Sequence, residues 1–315
     1  MNGVFALYKE KGYTSFDAVA ILRGILHERK IGHAGTLDPA AEGVLVIVCG
    51  SATKLVDYFN DEDKSYEAKL LLGVTTDTQD MTGEILSRRS VAVSEEELSA
   101  VLENFRGDIR QIPPMYSAVQ IDGKRLYALA RKGKTVERKP RNVHISELTV
   151  IDTSLPSVSL RVTCSKGTYI RTLCNDIGEA LGCGGAMEDL LRIRSGAFTL
   201  KDAKTLDGIR EAVRRGDLSF VHPVDEFFPD CPKIYVGEEY AALLVNGNPL
   251  PKDLCRMYPG IFRFRMYLPD GKFIGIYARR DGKGRIYPEK IFPDETVRAP
   301  HADGIPKNPV RGMEQ

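Results

Sequence analysis

Gly32-His33-Ala34-Gly35-Thr36-Leu37-Asp38-Pro39, continued by Ala40-Ala41-Glu42-Gly43 into Val44-Leu45-Val46-Ile47-Val48, is the stretch from which the rest of the chain can be read. Gly32 and Gly35 are expected to take backbone angles, or to allow close approaches, that a side chain would forbid. Pro39 disfavours a helical residue before it and so biases Asp38 towards an extended conformation. The β-branched run after Gly43 reads as a buried strand. One carboxylate is thus held on a stiff, irregular loop that feeds a core strand, the layout by which a rigid scaffold presents a functional loop residue. A plainer reading fits the same residues: an Asp before Pro in a glycine-rich loop is also a turn former.

Composition bounds the answer. The chain has 315 residues, enough for two domains, with 43% hydrophobic and 28% charged residues, ordinary for a soluble globular protein. Six cysteines are scattered without a C-x-x-C pair, which argues against a structural zinc site and for a reducing compartment. The start of the chain has too short an apolar run for a signal peptide, and no stretch approaches the roughly 18 apolar residues of a membrane helix. A cytoplasmic protein is expected. No P-loop, dinucleotide-binding or metal-ligand pattern occurs, which fits a reaction that needs neither metal nor cofactor.

Outward from the central loop, Val4 to Tyr8 reads as a strand, Ser15 as a helix cap, and Phe16 to Arg29 as a helix carrying Val19, Leu22, Ile25 and Leu26. Gly50 to Lys54 starts a helix reaching Phe59. Lys64 to Leu72 is a strand with Tyr66 on the face of Ala68 and Leu70, and Gly73 to Gly83 a polar loop. Ser94-Glu95-Glu96-Glu97 is a capping box opening a helix to Phe105. Val143 to Asp152 and Ser157 to Ser165 pair by alternation, and Lys166 to Leu173 opens a helix towards Ala180. Composition shifts near Pro229 to Pro232. Beyond it Phe262 to Tyr267 and Phe273 to Tyr277 alternate as strands of a small β-rich domain, and the polar tail after Pro293 is expected to be disordered.

Between Lys124 and Arg141 eight cations, Lys124, Arg125, Arg131, Lys132, Lys134, Arg138, Lys139 and Arg141, face one acid, Glu137, with Tyr127 interleaved. In a chain of net charge +1 this is a strong local asymmetry, and phosphate is its natural partner.

The string His33-Ala34-Gly35-Thr36-Leu37-Asp38-Pro39 with Glu42-Gly43-Val44-Leu45 resembles the catalytic motif of the TruB family of tRNA pseudouridine synthases. Three more segments are similar to that family's motifs: Lys64-Ser65-Tyr66, Gly167-Thr168-Tyr169-Ile170-Arg171-Thr172-Leu173, and Met187 to Gly196 with Leu190. Lys9 matches the lysine of the family's Lys-Pro pair, whereas Glu10 replaces its proline. The resemblance implies an α/β (α+β) fold with a mixed, largely antiparallel sheet flanked by helices. It further implies a catalytic domain over 1–231 with an RNA-clamping thumb at about 113–142, a PUA-like RNA-binding domain over 232–293 and a tail over 294–315. The implied substrate is the T-arm stem-loop of tRNA, at uridine 55, with no required protein partner. A monomer is expected.

By that resemblance Asp38 is the catalytic carboxylate, Arg171 its charge partner, expected to lower its pKa, and Tyr66 the group that handles the C5 proton. Tyr169 and Leu190 would wall the flipped base, His33 would contact RNA, and Lys9 would bind substrate. Lys124, Arg125, Arg131, Lys132, Arg138 and Arg141 would hold the RNA backbone. Attack at C1′, addition at C6 and a glycal route all remain open to Asp38. The residues alone also allow Lys9 as a surface charge, His33 as a structural residue and Tyr66 as simple packing. Two other functions stay open: an RNA-binding chaperone that does not need Asp38, and a guide-dependent relative acting on ribosomal RNA.

Overall fold

The computed structural model describes residues 1–292 apart from 122, 281 and 283, so the expected tail at 294–315 lies outside the described residues. Two compact units are present. The larger comprises Val4–Cys49 and Leu55–Val221; the smaller comprises Met1–Gly3, Gly50–Lys54 and the chain from His222 onward.

In chain order the elements of the larger unit are β1 (Gly3–Lys9), α1 (Ser15–Leu26), β2 (Ile31–Ala34), β3 (Glu42–Cys49), α2 (Val56–Asp61), β4 (Lys64–Leu72), β5 (Val74–Thr76), β6 (Ile85–Arg88), α3 (Glu95–Glu103), β7 (Gly107–Gln111), β8 (Gln120–Ile121), β9 (Lys124–Arg125), α4 (Leu126–Ala130), β10 (Arg141–Ser154), β11 (Ser157–Cys164), α5 (Ile170–Ala180), β12 (Gly185–Ser195), β13 (Phe198–Thr199) and α6 (Leu206–Arg214). Among the described residues nine strands make one sheet, in the order β1-β3-β12-β4-β11-β10-β7, with β2 on β3 and β13 on β12. β12 runs parallel to β3; the pairs β12–β4, β4–β11, β11–β10 and β10–β7 are antiparallel. The expected mixed, largely antiparallel sheet is therefore present.

Alternation sets its register. On β4, Tyr66, Ala68, Leu70 and Leu72 face one buried cluster with Leu160 and Val162 of β11 and with Leu173 and Ile177 of α5. A slip of one residue would turn that whole row to the other face. Val44 to Val48 of β3 are fully buried, as a continuous apolar run requires.

β12 was not apparent as a strand in the sequence, yet it lies inside the sheet, between β3 and β4. Its contact with β3 is unusually close. Gly43 has φ +106°, and a Cβ there would lie 2.3 Å from the carbonyl oxygen of Arg192. The conformational freedom expected of Gly32 is needed at Gly43 instead, and Gly35, with φ +73°, has it as expected. Gly43→Ala combines a left-handed backbone with a backbone clash, and should cost about 2–4 kcal/mol of stability. Thermal unfolding of the purified variant checks this; a midpoint equal to wild type would show the contact to be compliant.

Several ends differ from expectation for local reasons. Thr14, not Ser15, caps α1: its Oγ1 accepts from the Asp17 amide at 3.0 Å, and Asp17 accepts from the Thr14 amide at 2.9 Å. The helix stops at Leu26, where His27 takes φ +50°, short of Arg29. Gly50–Leu55 forms a 3-10 turn before α2, and the polar segment after Gly73 begins as β5, paired with β6.

The smaller unit contains β14 (Lys233–Tyr235), α7 (Glu238–Val245), β15 (Leu250–Pro251), β16 (Arg263–Tyr267), β17 (Phe273–Arg279) and β18 (Arg285–Ile291), with sheet order β14-β16-β17-β18-β15. Phe264, Met266, Ile274, Tyr277 and Ile286 fill its core. β18 is hidden in the sequence by Pro288, which sits opposite Tyr277 beside a register shift, the kind of position where a sheet tolerates proline. The unit begins at His222, ahead of the composition shift at Pro229, because Arg265 binds the carbonyls of Cys231 and Asp225 and Tyr267 donates to Asp225 at 2.7 Å. No described helix is long and apolar enough to cross a membrane.

Candidate active site

The loop between β2 and β3 is pinned from every side. Ser15 Oγ accepts from the Leu37 amide at 2.9 Å and donates to its carbonyl at 3.1 Å. The Gly35 amide donates to Asn60 Oδ1 at 2.8 Å, and Arg192 Nη2 donates to the Gly35 carbonyl at 2.8 Å. The Ala41 amide closes a turn on the Asp38 carbonyl at 3.1 Å. A loop so held presents its side chains without further ordering cost.

Asp38 stands at the wall of an open cleft of about 1840 Å³. Arg171, in the first turn of α5, places Nε 3.0 Å from its carboxylate. The same guanidinium reaches Asp80 at 3.4 Å through Nη1, the Thr78 carbonyl at 3.1 Å, and the Tyr116 carbonyl at 2.9 Å through Nη2. Arg171 is 7% exposed and Asp38 42%. This makes Asp38 the solvent-facing end of a buried ion triad whose inner carboxylate, Asp80, also accepts from Thr78 at 2.8 Å and from the Thr82 amide at 3.0 Å. The expected lowering of the Asp38 pKa is corrected. Burial pushes its carboxyl above the ordinary range, Arg171 and Lys9 pull it back, and Asp80 pushes it further up. Water in the open cleft tempers the burial effect, because nearly half of the side chain meets solvent.

Tyr66, Tyr169, Leu190 and His33 line the same cleft. Burial pushes the Tyr66 phenol above its ordinary value, and the Arg192 guanidinium opposes that rise. Tyr169 is fixed at the start of α5 by Gln111, whose amide accepts from the Tyr169 N–H at 2.7 Å and donates to its carbonyl at 3.0 Å. Burial and Arg192 push the His33 imidazole below its ordinary pKa, and its Nδ1 is buried without a hydrogen-bond partner among the described residues.

Three of the six basic residues singled out for RNA, Arg125, Arg131 and Arg141, also line the cleft. Arg125 and Arg131 sit 5.9 and 5.6 Å from the Tyr127 ring, one on each flank of α4. Lys124 and Lys132 are exposed beyond the cleft lining. Arg138 is half-buried and donates to the Pro113 carbonyl at 3.2 Å.

Lys9 is not where either sequence reading put it. It is 1% exposed, and its Nζ donates to the carbonyls of Ala41 at 2.7 Å and Glu10 at 3.0 Å, behind the Asp38 loop. Burial lowers its pKa to about 8. Its ammonium ties down the loop from behind and does not face the cleft.

Asp80, Gln111 and Arg192 were not singled out from the sequence as site residues. Asp80 lies in the polar loop after Gly73 and Arg192 in the segment around Leu190; each looked like one more surface charge. Among the described residues no cluster of His, Cys, Asp and Glu could hold a metal ion.

Residues 23–170 match the N-terminal domain model of the TruB family pseudouridylate synthases, and residues 171–228 match the tRNA pseudouridylate synthase B C-terminal domain. The chain is 47% identical over 306 residues to a tRNA pseudouridine synthase B of Lachnoclostridium phytofermentans, covering 93% of this chain and 100% of that protein. It is 42% identical over 283 residues to the one of Clostridium kluyveri, covering 89% and 96%. Among solved structures, a chain of a Cbf5-Nop10-Gar1 complex is similar with a TM-score of 0.67 at 25% identity, covering 93% of this chain and 86% of that one.

Proposed function

The chain belongs to the TruB family of pseudouridylate synthases, and from that premise we propose that it isomerises uridine 55 in the T loop of tRNA to pseudouridine. It is an isomerase: the N1–C1′ bond breaks, a C5–C1′ bond forms, and no atom is gained or lost. The observation that carries the reading is the 3.0 Å contact between Asp38 and Arg171 at the wall of an open, cation-lined cleft. In this reading the target nucleotide leaves the loop, at a cost of a few kcal/mol, and enters the cleft. Asp38 acts on the sugar or the ring as nucleophile or as charge stabiliser. Tyr66 takes the C5 proton, and Tyr169 and Leu190 pack against the base while it turns.

The larger unit, ending at Val221, then carries the catalysis, the segment at 113–142 clamps the T-arm, and the unit that begins at His222 is a PUA-like RNA-binding domain. The enzyme acts in the cytoplasm, as a monomer, without a protein partner. Incubating the purified protein with a bare T-arm transcript whose uridines carry tritium at C5 tests this. Tritium release without any added factor is expected; an unmodified transcript would sink the stand-alone reading.

Two further outcomes follow from the site. Burial raises the Asp38 carboxyl, so turnover that needs the Asp38 carboxylate fails on the acid side at a pH above the ordinary aspartate range, and a smaller part of that rise is the push of the Asp80 carboxylate. Asp80→Asn removes that push, so the acid limb of kcat should move to lower pH. A pH–rate profile reads the shift, and a limb that stays put or moves up would contradict it. Arg131→Ala and Lys132→Ala should each weaken tRNA binding and reduce the slope of log affinity against log salt by up to about one. Filter binding at several salt concentrations measures it; an unchanged slope would remove these cations from the phosphate interface.

A further inference from the structure

Arg192 is the largest of the fully buried side chains, and no carboxylate among the described residues lies within ion-pair distance of it. Among the described residues its hydrogen bonds go to backbone carbonyls: Nε donates to Val44 at 2.6 Å and Nη2 to Gly35 at 2.8 Å, on either side of the Asp38 loop. A buried guanidinium without a counter-ion is expensive, and carbonyl dipoles offset only part of the cost. Such a charge is explained if the site generates a negative charge for it to meet.

The sheet register says where. Arg192 on β12 lies directly opposite Tyr66 on β4, and both line the cleft. We propose that Arg192 is the positioning residue of Tyr66: it orients the phenol and supplies the positive charge against which a transient Tyr66 phenolate forms during the isomerisation. The proposal rests on the pseudouridine synthase reading and deepens it.

The proton ledger has a place for an anion of this kind. Isomerisation breaks one C5–H bond and makes one N1–H bond. Tyr66 can give its phenolic proton to N1 of the detached ring, become a phenolate, and then take the C5 proton once C5 has joined C1′. It begins and ends as a phenol, and no external acid or base is consumed. Without help the intermediate phenolate would be costly, because burial disfavours the charged form of Tyr66. Arg192, paired with Tyr66 across the strands, acts in the opposite sense and favours the charged phenol. A second buried cation lies two residues before Tyr66 on β4: Lys64, whose Nζ donates to the carbonyls of Phe59 at 3.0 Å and Asn60 at 2.7 Å. Lys64 lines the same cleft.

The test compares Arg192→Lys and Arg192→Met with wild type on T-arm RNA carrying hydrogen or deuterium at C5. We expect kcat to fall about 10²-fold in Arg192→Met with KM nearly unchanged, less in Arg192→Lys, and the C5 deuterium effect on kcat to increase in both. In a Tyr66→Phe background neither change should lower kcat further. Losses that multiply with that of Tyr66→Phe, or an isotope effect equal to wild type, would reduce Arg192 to a structural prop and overturn the proposal. A measurement that leaves Arg192 in place covers the case in which its variants do not fold. In protein with ¹⁵N-labelled arginine, Tyr66→Phe should shift the Arg192 guanidinium resonance, and no shift overturns the contact. Failure of the wider reading would look different: wild type itself would release no label, while the resonance shift would persist.

Discussion

Asp38→Asn should lower the release of label from C5 by at least about 10⁴-fold while leaving tRNA affinity within about threefold of wild type. The substitution keeps the shape of the side chain and an oxygen that can accept from Arg171 Nε, now 3.0 Å from the carboxylate. It removes the charge and the nucleophilic oxygen. Neither a covalent adduct at the sugar nor electrostatic support of a cationic sugar survives that change. Folding should be affected little, by about 1 kcal/mol, because Arg171 keeps Asp80 and two backbone carbonyls. Binding should persist because the cations of the 113–142 segment are untouched. Residual turnover within tenfold of wild type would remove Asp38 from the chemistry and favour a protein whose main work is to bind and fold RNA. Loss of binding together with turnover would instead make Asp38 a contact residue.

The parts of this arrangement that the sequence disclosed are those with a local physical signature. The apolar run Val44 to Val48, the alternation of Lys64 to Leu72 and the capping box at Ser94 each fix an element from neighbouring residues alone, and each is present. Asp38 was conspicuous because glycines and a proline surround it. Residues whose importance arises only through the sheet register stayed hidden. Arg192 reads as one charge among several until β12 is placed between β3 and β4, where it meets Gly43 on one side and Tyr66 on the other. Asp80 becomes a member of the site because its loop docks on Met187 of the same strand, with amide-to-carbonyl bonds of 3.0 Å in both directions. Lys9 was misplaced for a related reason: from sequence a lysine near a strand end is a surface residue, and only the turn at Ala41 gives its ammonium a buried partner. The raised pKa of Asp38 comes first from burial and then from a like charge, Asp80, neither of which spacing along the chain reveals.

Arg171→Met is the second large effect, and it separates two uses of the same guanidinium. One cation serves Asp38, Asp80 and the carbonyls of Thr78 and Tyr116. Methionine fills much of the volume but leaves two carboxylates facing a cleft wall with no charge between them. Removing one partner from a buried ion group costs about 3–5 kcal/mol, chiefly because the remaining charges are uncompensated. The pH dependence of that loss has a definite sign. Asp38 already has a raised carboxyl, and losing Arg171 removes the largest influence that lowers it. The folded protein then binds protons more readily than the unfolded chain, so stability falls as pH rises through the folded-state value and recovers as pH falls towards the ordinary aspartate range. Denaturant titrations of Arg171→Met at neutral and mildly acidic pH should therefore show the gap to wild type narrowing in acid. Turnover should show the reverse, since protonating Asp38 relieves the repulsion and disables the carboxylate together. Arg171→Lys keeps one charge but cannot span both carboxylates and both carbonyls, so its stability should lie between the two while its turnover stays low. A stability gap that is flat across pH would mean that Asp38 and Asp80 do not share the charge of Arg171, and the ion triad would have to be abandoned as the unit that sets the active carboxylate.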